Sequence, residues 1–442
     1  MQQTHNRFNE YYQTLQTSTP LRMDGKVSNV VGLVIEASLP GATMGELCQI
    51  HTQSGAIIRA ESVGFRGEKV LLMPLDQTVG IAPGSRVERS PKPLTVGVGP
   101  ELLGRVIDGL GNPIDGKGPI LSEKRQPVYN DPPNPLERQR ITKILPTGIR
   151  SIDGLVTIGR GQRVGIFAGS GVGKSVLLGM VSRYTEAAVN VIALIGERGR
   201  EVREFIERDL GPEGLSRSVV IVATSDQAAM VRVKGALIAT AVAEYFRDQG
   251  HDVMLLMDSL SRVAMAQREI GLAVGEPPTT KGYTPSVFAF LPRLLERAGT
   301  ASAGSITGLY TVLVEGDDMD EPISDASRAI LDGHIVLSRR LATRGHYPAV
   351  DVNESISRLL TEIADDEHLT QTKAVLEMLA DYRDSEDMIN IGAYVPGSNA
   401  NVDRAIEKIE SIREFLRQDM LDSAPFEDTM TKLRMVLEGE AA

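Results

Sequence analysis

Lys174 and Ser175 close the glycine-rich part of FAGSGVGKSVLL, Phe167 to Leu178, in which glycines at 169, 171 and 173 precede a lysine and a hydroxyl. Spaced glycines let backbone N–H groups turn inward around phosphate oxygens, and at a helix N-terminus those groups also present the positive end of the helix dipole. In such a loop the lysine reaches the β- and γ-phosphates and the hydroxyl ligates Mg²⁺. Candidate nucleotide contacts are therefore Ala168, Gly169, Ser170, Gly171, Val172, Gly173, Lys174, Ser175 and Val176. One position departs from the common pattern GxxxxGK[ST]: Ala168 stands where the first glycine is expected. It ends the apolar run RVGIFA, where an ordinary negative φ suffices, so its methyl need not obstruct the loop.

Phosphoryl chemistry asks for further groups. VMLLMD places Asp258 at the end of an apolar run, where a carboxylate at the carboxyl edge of a sheet can hold magnesium through water. Aspartates commonly follow strands, so this signal gains force only from its pairing with the loop. NVIALIGERGRE places Glu197 just past another apolar run with Arg198 beside it, the position for a group that orients an attacking water. The plain alternatives are a chance glycine-rich turn and a solvated loop carboxylate.

These residues need a scaffold that brings strand ends together. After Thr147 apolar runs alternate with helical stretches: RVGIFA and SVLLGMVSRY, NVIALIG and EVREFIERDL, SVVIVAT and a long helix through Gln249, then HDVMLLMD. Continuous apolar strands between amphipathic helices indicate an α/β core with a parallel sheet covered on both faces. Before it, from about residue 24 to 92, short apolar runs such as VVGLVIEA and KVLLMPL lie between turn residues and predict a small β-barrel or sandwich. SPKPL reads as a linker, DGLGNPIDGKGP as a tight turn or hairpin, and YNDPPNPLERQRI as an extended crossing segment. Phe8, Tyr11, Tyr12 and Leu15 fall at helical spacing and predict an amphipathic helix that docks a partner or packs on its own barrel. Beyond about residue 346 the pattern is mostly helical, with one clear interruption at Ile391 to Asn401. The expected domains are 1–18, 19–92, 93–345 and 346–442.

Composition bounds the function. The 442 residues carry a formal charge of −11 and contain no tryptophan, which argues against a generic nucleic-acid binder. A single cysteine, Cys48, excludes an internal disulfide and fits a reducing compartment. Six scattered histidines make structural zinc an unlikely fit. The N-terminus lacks a signal-peptide core, and no apolar run nears the roughly 20 residues that span a bilayer. A soluble cytoplasmic protein is expected.

GSGVGKS, GERGRE, MDSLSR, GHYPAVD and SISR, in this order and spacing, resemble the catalytic-subunit family of rotary ATP synthases and its relatives in protein export. The resemblance covers nearly the whole chain and implies a RecA-like P-loop core between an N-terminal β-barrel and a helical C-terminal domain. Gly316 to Ala342 looks like the type III secretion branch, and Ile389 to Ile406 is most similar to its flagellar export members. Alanine at the position of Ala168 is common in that branch. The resemblance implies that Lys174 and Ser175 bind the phosphates and magnesium of ATP, that Glu197 polarises water next to Arg198, and that Asp258 is the magnesium-linked aspartate. It further implies that Arg262 is a site arginine, that Tyr347 lies against the adenine, and that Arg358, otherwise an ordinary arginine on a helix, is the finger a ring neighbour inserts. Implied partners are the other subunits of a homohexamer, a flagellar export stator protein at the N-terminal helix, a central stalk-like export protein, the membrane export gate and chaperone–substrate complexes, with no nucleic acid. The implied place is the cytoplasm, peripheral to the membrane at the flagellar base, where hydrolysis would release chaperones and deliver substrates to the gate.

Other readings share the loop. A non-catalytic ring subunit commonly lacks the counterpart of Glu197. An RNA-translocating hexameric helicase needs a basic, aromatic-rich front domain, whereas residues 24 to 92 hold one aromatic, Phe65. A virulence injectisome ATPase and a rotary synthase subunit are the nearest alternatives.

Overall fold

Six strands, Gly25–Val31, Val34–Ser38, Leu47–His51, Ile57–Arg66, Lys69–Pro74 and Arg86–Arg89, close into an antiparallel barrel in the spatial order first, second, fifth, fourth, third, sixth. Alternation along each strand sends Val27, Ile35, Ala37, Ile50, Ile58, Ala60, Val70, Leu72 and Val87 into the lumen. Cys48 joins them, and burial pushes its thiol up to about 12, so it stays protonated and inert at neutral pH. The computed structural model describes Tyr11, residues 24–90, 93–314, Gly316 and residues 318–438. The helix expected over residues 1–18 lies, Tyr11 aside, outside the described residues. The barrel belongs to one of two compact units; residues 95–269 and 277–438 make up the other.

The second unit is built on a sheet whose strands run, in spatial order, Val350–Ser357, Gly333–Leu337, Arg163–Ala168, Ser305–Leu313, Asp252–Asp258, Val189–Ile195, Ser218–Ala223 and Arg105–Asp108. All are parallel except the first, which pairs antiparallel with its neighbour. Every residue of Val189–Ile195 and Ser218–Ala223 is buried, as their continuous apolar runs require of strands covered on both faces. On one face Ile195 meets Gly235 of the long helix Ala229–Asp248, where an added Cβ would lie 2.8 Å from its side chain. On the other face Ile192, Leu194, Val220 and Leu256 join Leu177 and Val181 of the helix Lys174–Tyr184. The same cluster continues into Val375 and Met378 of Asp366–Asn390, Ile412 and Phe415 of Ala400–Leu416, and Leu433 of Phe426–Glu438, so the C-terminal helices share a core with the sheet.

Two expectations for this region need correction. The tail beyond residue 346 is interrupted not only at 391–399 but also by the strand Val350–Ser357. In VDVNESIS the residues Val350, Val352 and Ser355 are buried between exposed or half-buried neighbours, and the backbone pairs along one edge of the sheet. Arg358 consequently sits in the turn after that strand and not on a helix.

The extended segment before the core is tied down by a buried ion pair. Arg297, 2% exposed, donates through Nε and Nη2 to the two Glu244 oxygens at 2.7 and 2.8 Å and through Nη1 to the Val128 carbonyl at 2.9 Å. Asn130 completes the set by donating to Glu244 Oε2 at 3.0 Å. Removing one partner leaves the other charge buried and unpaired, which costs about 3–5 kcal/mol. Glu244→Ala is therefore expected to lower stability by that order in chemical denaturation, and the double variant Glu244→Leu, Arg297→Met to recover most of the loss.

Candidate nucleotide site

The parallel sheet brings several strands to one edge in register: Ala168 lies level with Leu313, and Asp258 level with Leu194. The loop from Gly169 to Gly173 leaves that edge and opens into the helix Lys174–Tyr184. Ala168 itself belongs to the sheet, 1% exposed, with its carbonyl accepting from the Val314 N–H at 3.0 Å and Leu337 level on its other side. The left-handed positions come later, at Gly171 (φ 77°) and Gly173 (φ 92°). Gly173 is doubly constrained, because a Cβ there would also lie 3.4 Å from two ring carbons of Tyr347. Val172 is buried, while Ser175 is exposed to the cleft it lines.

Lys174 Nζ lies 2.5 Å from Asp258 Oδ1 and 3.4 Å from Glu197 Oε1. Burial opposes its charge, yet the two carboxylates outweigh that cost and raise its pKa. Asp258 Oδ1 also accepts from the Thr311 hydroxyl at 2.6 Å. Burial pushes the Glu197 carboxyl up to about 7, against the pull of Lys174 and with the push of Asp258. Glu197 shares a hydrogen bond with Glu201, whose own pKa is lowered by it.

The cleft, of about 630 Å³, is lined by the loop together with Glu197, Arg198, Glu201, Arg262, Met265, Leu313, Val314 and Arg339. Arg198 is well exposed and meets Glu201 Oε1 at 3.6 Å. Arg262 lies across Gly196, where a Cβ would come within 2.8 Å of its side chain, and its buried Nε finds no hydrogen-bond partner among the described residues. A second cavity, of about 790 Å³, follows the other side of the phosphate-loop helix and is lined by Gly173, Val176, Met180, Tyr347, Pro348, Gln418 and Met420 among others. Val176 and Gly173 thus border both spaces.

Arg358 is the one expected site residue that the fold keeps apart. Ser357 pairs with Gly333, whereas Leu337, at the other end of that strand, lies level with Ala168. The turn carrying Arg358 therefore leaves the amino end of the sheet, some four residues or roughly 13 Å back along the strand from the edge that bears the loop. There Arg358 is exposed, with its backbone N–H on the Asp332 carbonyl at 3.0 Å and Nη2 on the Arg328 carbonyl at 3.0 Å.

Three side chains escaped the sequence reading. Thr311 is a single threonine in the apolar run GLYTVL, Glu201 stands four residues after Glu197, and Gln418 carries no local signal at all. For Mg²⁺ the available donors fit: the ion keeps several waters and takes other ligands from phosphates, so the exposed Ser175 hydroxyl with the Asp258 carboxylate nearby is a sufficient protein share.

Comparison with known proteins identifies the family of each part of the chain. A family model for the nucleotide-binding domain of the ATP synthase alpha/beta family matches residues 148–357, one for its beta-barrel domain residues 27–91, and one for the T3SS EscN ATPase C-terminal domain residues 364–435. The "Flagellum-specific ATP synthase" of Bacillus subtilis (strain 168) is 56% identical over 420 residues, 94% of this chain and 95% of that protein. The assembled ATPase EscN from the enteropathogenic E. coli type III secretion system superposes with a TM-score of 0.89 at 44% identity, covering 93% of this chain and 100% of that one. EscN in complex with its central stalk EscO gives a TM-score of 0.87 at 43% identity, with 93% and 100% covered.

The placement of Ala168 at the end of its strand and of Gly173 at the end of the loop predicts contrasting responses at these two small residues. Ala168→Gly is expected to leave ATP affinity within about twofold and to cost about 0.5–1 kcal/mol of stability, as glycine in a strand does. Gly173→Ala, forced into the left-handed region against the Tyr347 ring, is expected to destabilise by about 1–3 kcal/mol and to lose nucleotide binding. Calorimetric titration and thermal melts of both variants measure the contrast.

Proposed function

This chain belongs to the ATP synthase alpha/beta family, in the branch of flagellum-specific and type III secretion ATPases, and is an ATPase of protein export; we infer that it works as a homohexamer in which each cleft is completed by the neighbouring subunit. The observation that carries this reading is the convergence of Lys174, Glu197, Asp258 and Arg262 on one edge of the sheet while Arg358 stands at the other. The phosphate loop binds the triphosphate through its backbone N–H groups, and the γ-phosphate draws Lys174 from its two carboxylates. A carboxyl raised to about 7 is a better base than an ordinary one, which suits Glu197 to align the attacking water. Magnesium, held by Ser175 and through water by Asp258, would neutralise charge on the β- and γ-phosphates. Charge developing on the equatorial oxygens is further offset by Arg262 and by a neighbour's Arg358. The second cavity, with Tyr347 beside the loop, is the place for the adenine.

That EscN was solved assembled, and with a central stalk, supports a ring and a stalk-like partner for this chain as well. The flagellar system is favoured by the 56% identity to the B. subtilis protein. A stator protein at residues 1–18, chaperone–substrate complexes and the export gate complete the proposed partners on family resemblance, and the gate would bring the ring to the cytoplasmic face of the membrane. No helix among the described residues is long and apolar enough to cross a membrane.

Lys174→Ala is expected to lose nucleotide binding, whereas Glu197→Gln should retain binding and lose turnover, since the lysine contacts ground-state phosphates and the glutamate acts on water. Equilibrium binding and steady-state hydrolysis separate the two; normal hydrolysis by Glu197→Gln would remove the glutamate from the mechanism. For the finger, Lys174→Ala and Arg358→Ala rings should each be nearly inactive, with Arg358→Ala down by roughly 10³–10⁵. Mixing the two should restore some turnover, because certain interfaces then pair an intact loop with an intact arginine. Light scattering confirms that rings form, and mixing wild type with the double variant controls for strict cooperativity. Assembled mixed rings that stay inactive, while wild-type activity survives dilution, would exclude Arg358 as the finger.

A further inference from the structure

Gln418 is buried, 5% exposed, just past the helix Ala400–Leu416, and its backbone N–H donates to the Tyr347 carbonyl at 2.9 Å. Its side-chain oxygen accepts from the Arg150 N–H at 2.9 Å, and its amide nitrogen donates to the carbonyls of Gly148 and Asp422, each at 2.8 Å. One N–H facing the oxygen and two carbonyls facing the nitrogen allow a single orientation of this amide. Rotating or withdrawing it would leave the buried Arg150 N–H and Gly148 carbonyl unpaired and break the bond to the Asp422 carbonyl.

These bonds close a circuit around the second cavity. Gly148 is wedged against the far end of the phosphate-loop helix, where a Cβ would lie 2.4 Å from Tyr184 Cβ. Tyr347 lies against the near end, its ring 3.4 Å from a Cβ on Gly173. Gln418 spans the interval, joining the backbone of Tyr347 to that of Gly148. Arg150, also buried, fastens the same chain by donating Nε to the Phe415 carbonyl at 2.8 Å and by contacting the Arg417 carbonyl and Asp422. Arg183 and Tyr184 hold the Met420 carbonyl at 2.5 and 3.3 Å.

We propose that Gln418 is the positioning residue for base recognition, setting the distance between Tyr347 and the phosphate-loop helix and hence the width of the slot that receives an adenine. The proposal rests on the assignment of the second cavity to the base. It implies a division of labour: the loop grips the phosphates whatever the slot's width, while the affinity contributed by the base depends on Gln418. Gln418→Met keeps the volume, leaves the backbone N–H on Tyr347, and removes all three side-chain bonds.

The test compares two probes on the full-length protein by calorimetric titration: ATP, and inorganic tripolyphosphate, which has no base. In Gln418→Met, ATP affinity is expected to fall about tenfold or more while tripolyphosphate affinity stays within about twofold. Steady-state kinetics should show the same split, with KM for ATP raised and kcat little changed. Parallel losses for both probes would reduce Gln418 to a structural role and overturn the proposal, as would an unchanged ATP affinity. Gln418→Asn, which draws the amide back by one methylene, decides the matter in the same way where the methionine variant does not fold. Failure of the underlying assignment reads differently: wild-type protein would then bind ATP no more tightly than tripolyphosphate.

Discussion

Everything chemical in this protein depends on strands that run the same way. In a parallel sheet the carboxyl ends gather at one edge, and here that edge collects the phosphate loop after Ala168, Glu197 after Ile195, and Asp258 at the end of its own strand. Parallel strands need long crossovers and burial on both faces, which explains the near-continuous apolar runs and the helices between them. The price in charge falls on Lys174, Glu197 and Asp258, which share a half-desolvated corner. Their mutual contacts keep the ammonium charged, while burial, with Asp258 beside it, leaves the Glu197 carboxyl with an unusually high affinity for protons.

The C-terminal helices extend this arrangement. They share apolar side chains with the sheet face that carries the phosphate-loop helix, so the loop's supporting helix is gripped between the sheet and the tail. Gln418 and Arg150 add directional bonds to that apolar contact. Hydrophobic burial supplies cohesion without fixing distances, whereas a buried amide with three partners fixes them.

Much of this was legible in the sequence because the informative patterns are local. Glycines before Lys174, apolar runs ending in Asp258 and Glu197, and turn-bounded short strands in the barrel each report a structure formed within a few residues. The strand Val350–Ser357 was missed because its alternation is half polar and its pairing partner lies on a different segment, Gly333–Leu337. Thr311 and Gln418 were invisible for a related reason: their partners, Asp258 and Gly148, are 53 and 270 residues away. Arg358 was recognised only by family resemblance, and its separation from the cleft follows from strand register alone.

That separation has an economic meaning for the cell. An isolated subunit contains the means to hold a nucleotide but leaves Arg358 exposed at the opposite end of its own sheet. If Arg358 completes a neighbour's cleft as proposed, fuel consumption would report encounters between copies and not their abundance. A pool of unassembled chains would then stand charged and idle, and the site of assembly would become the site of expenditure.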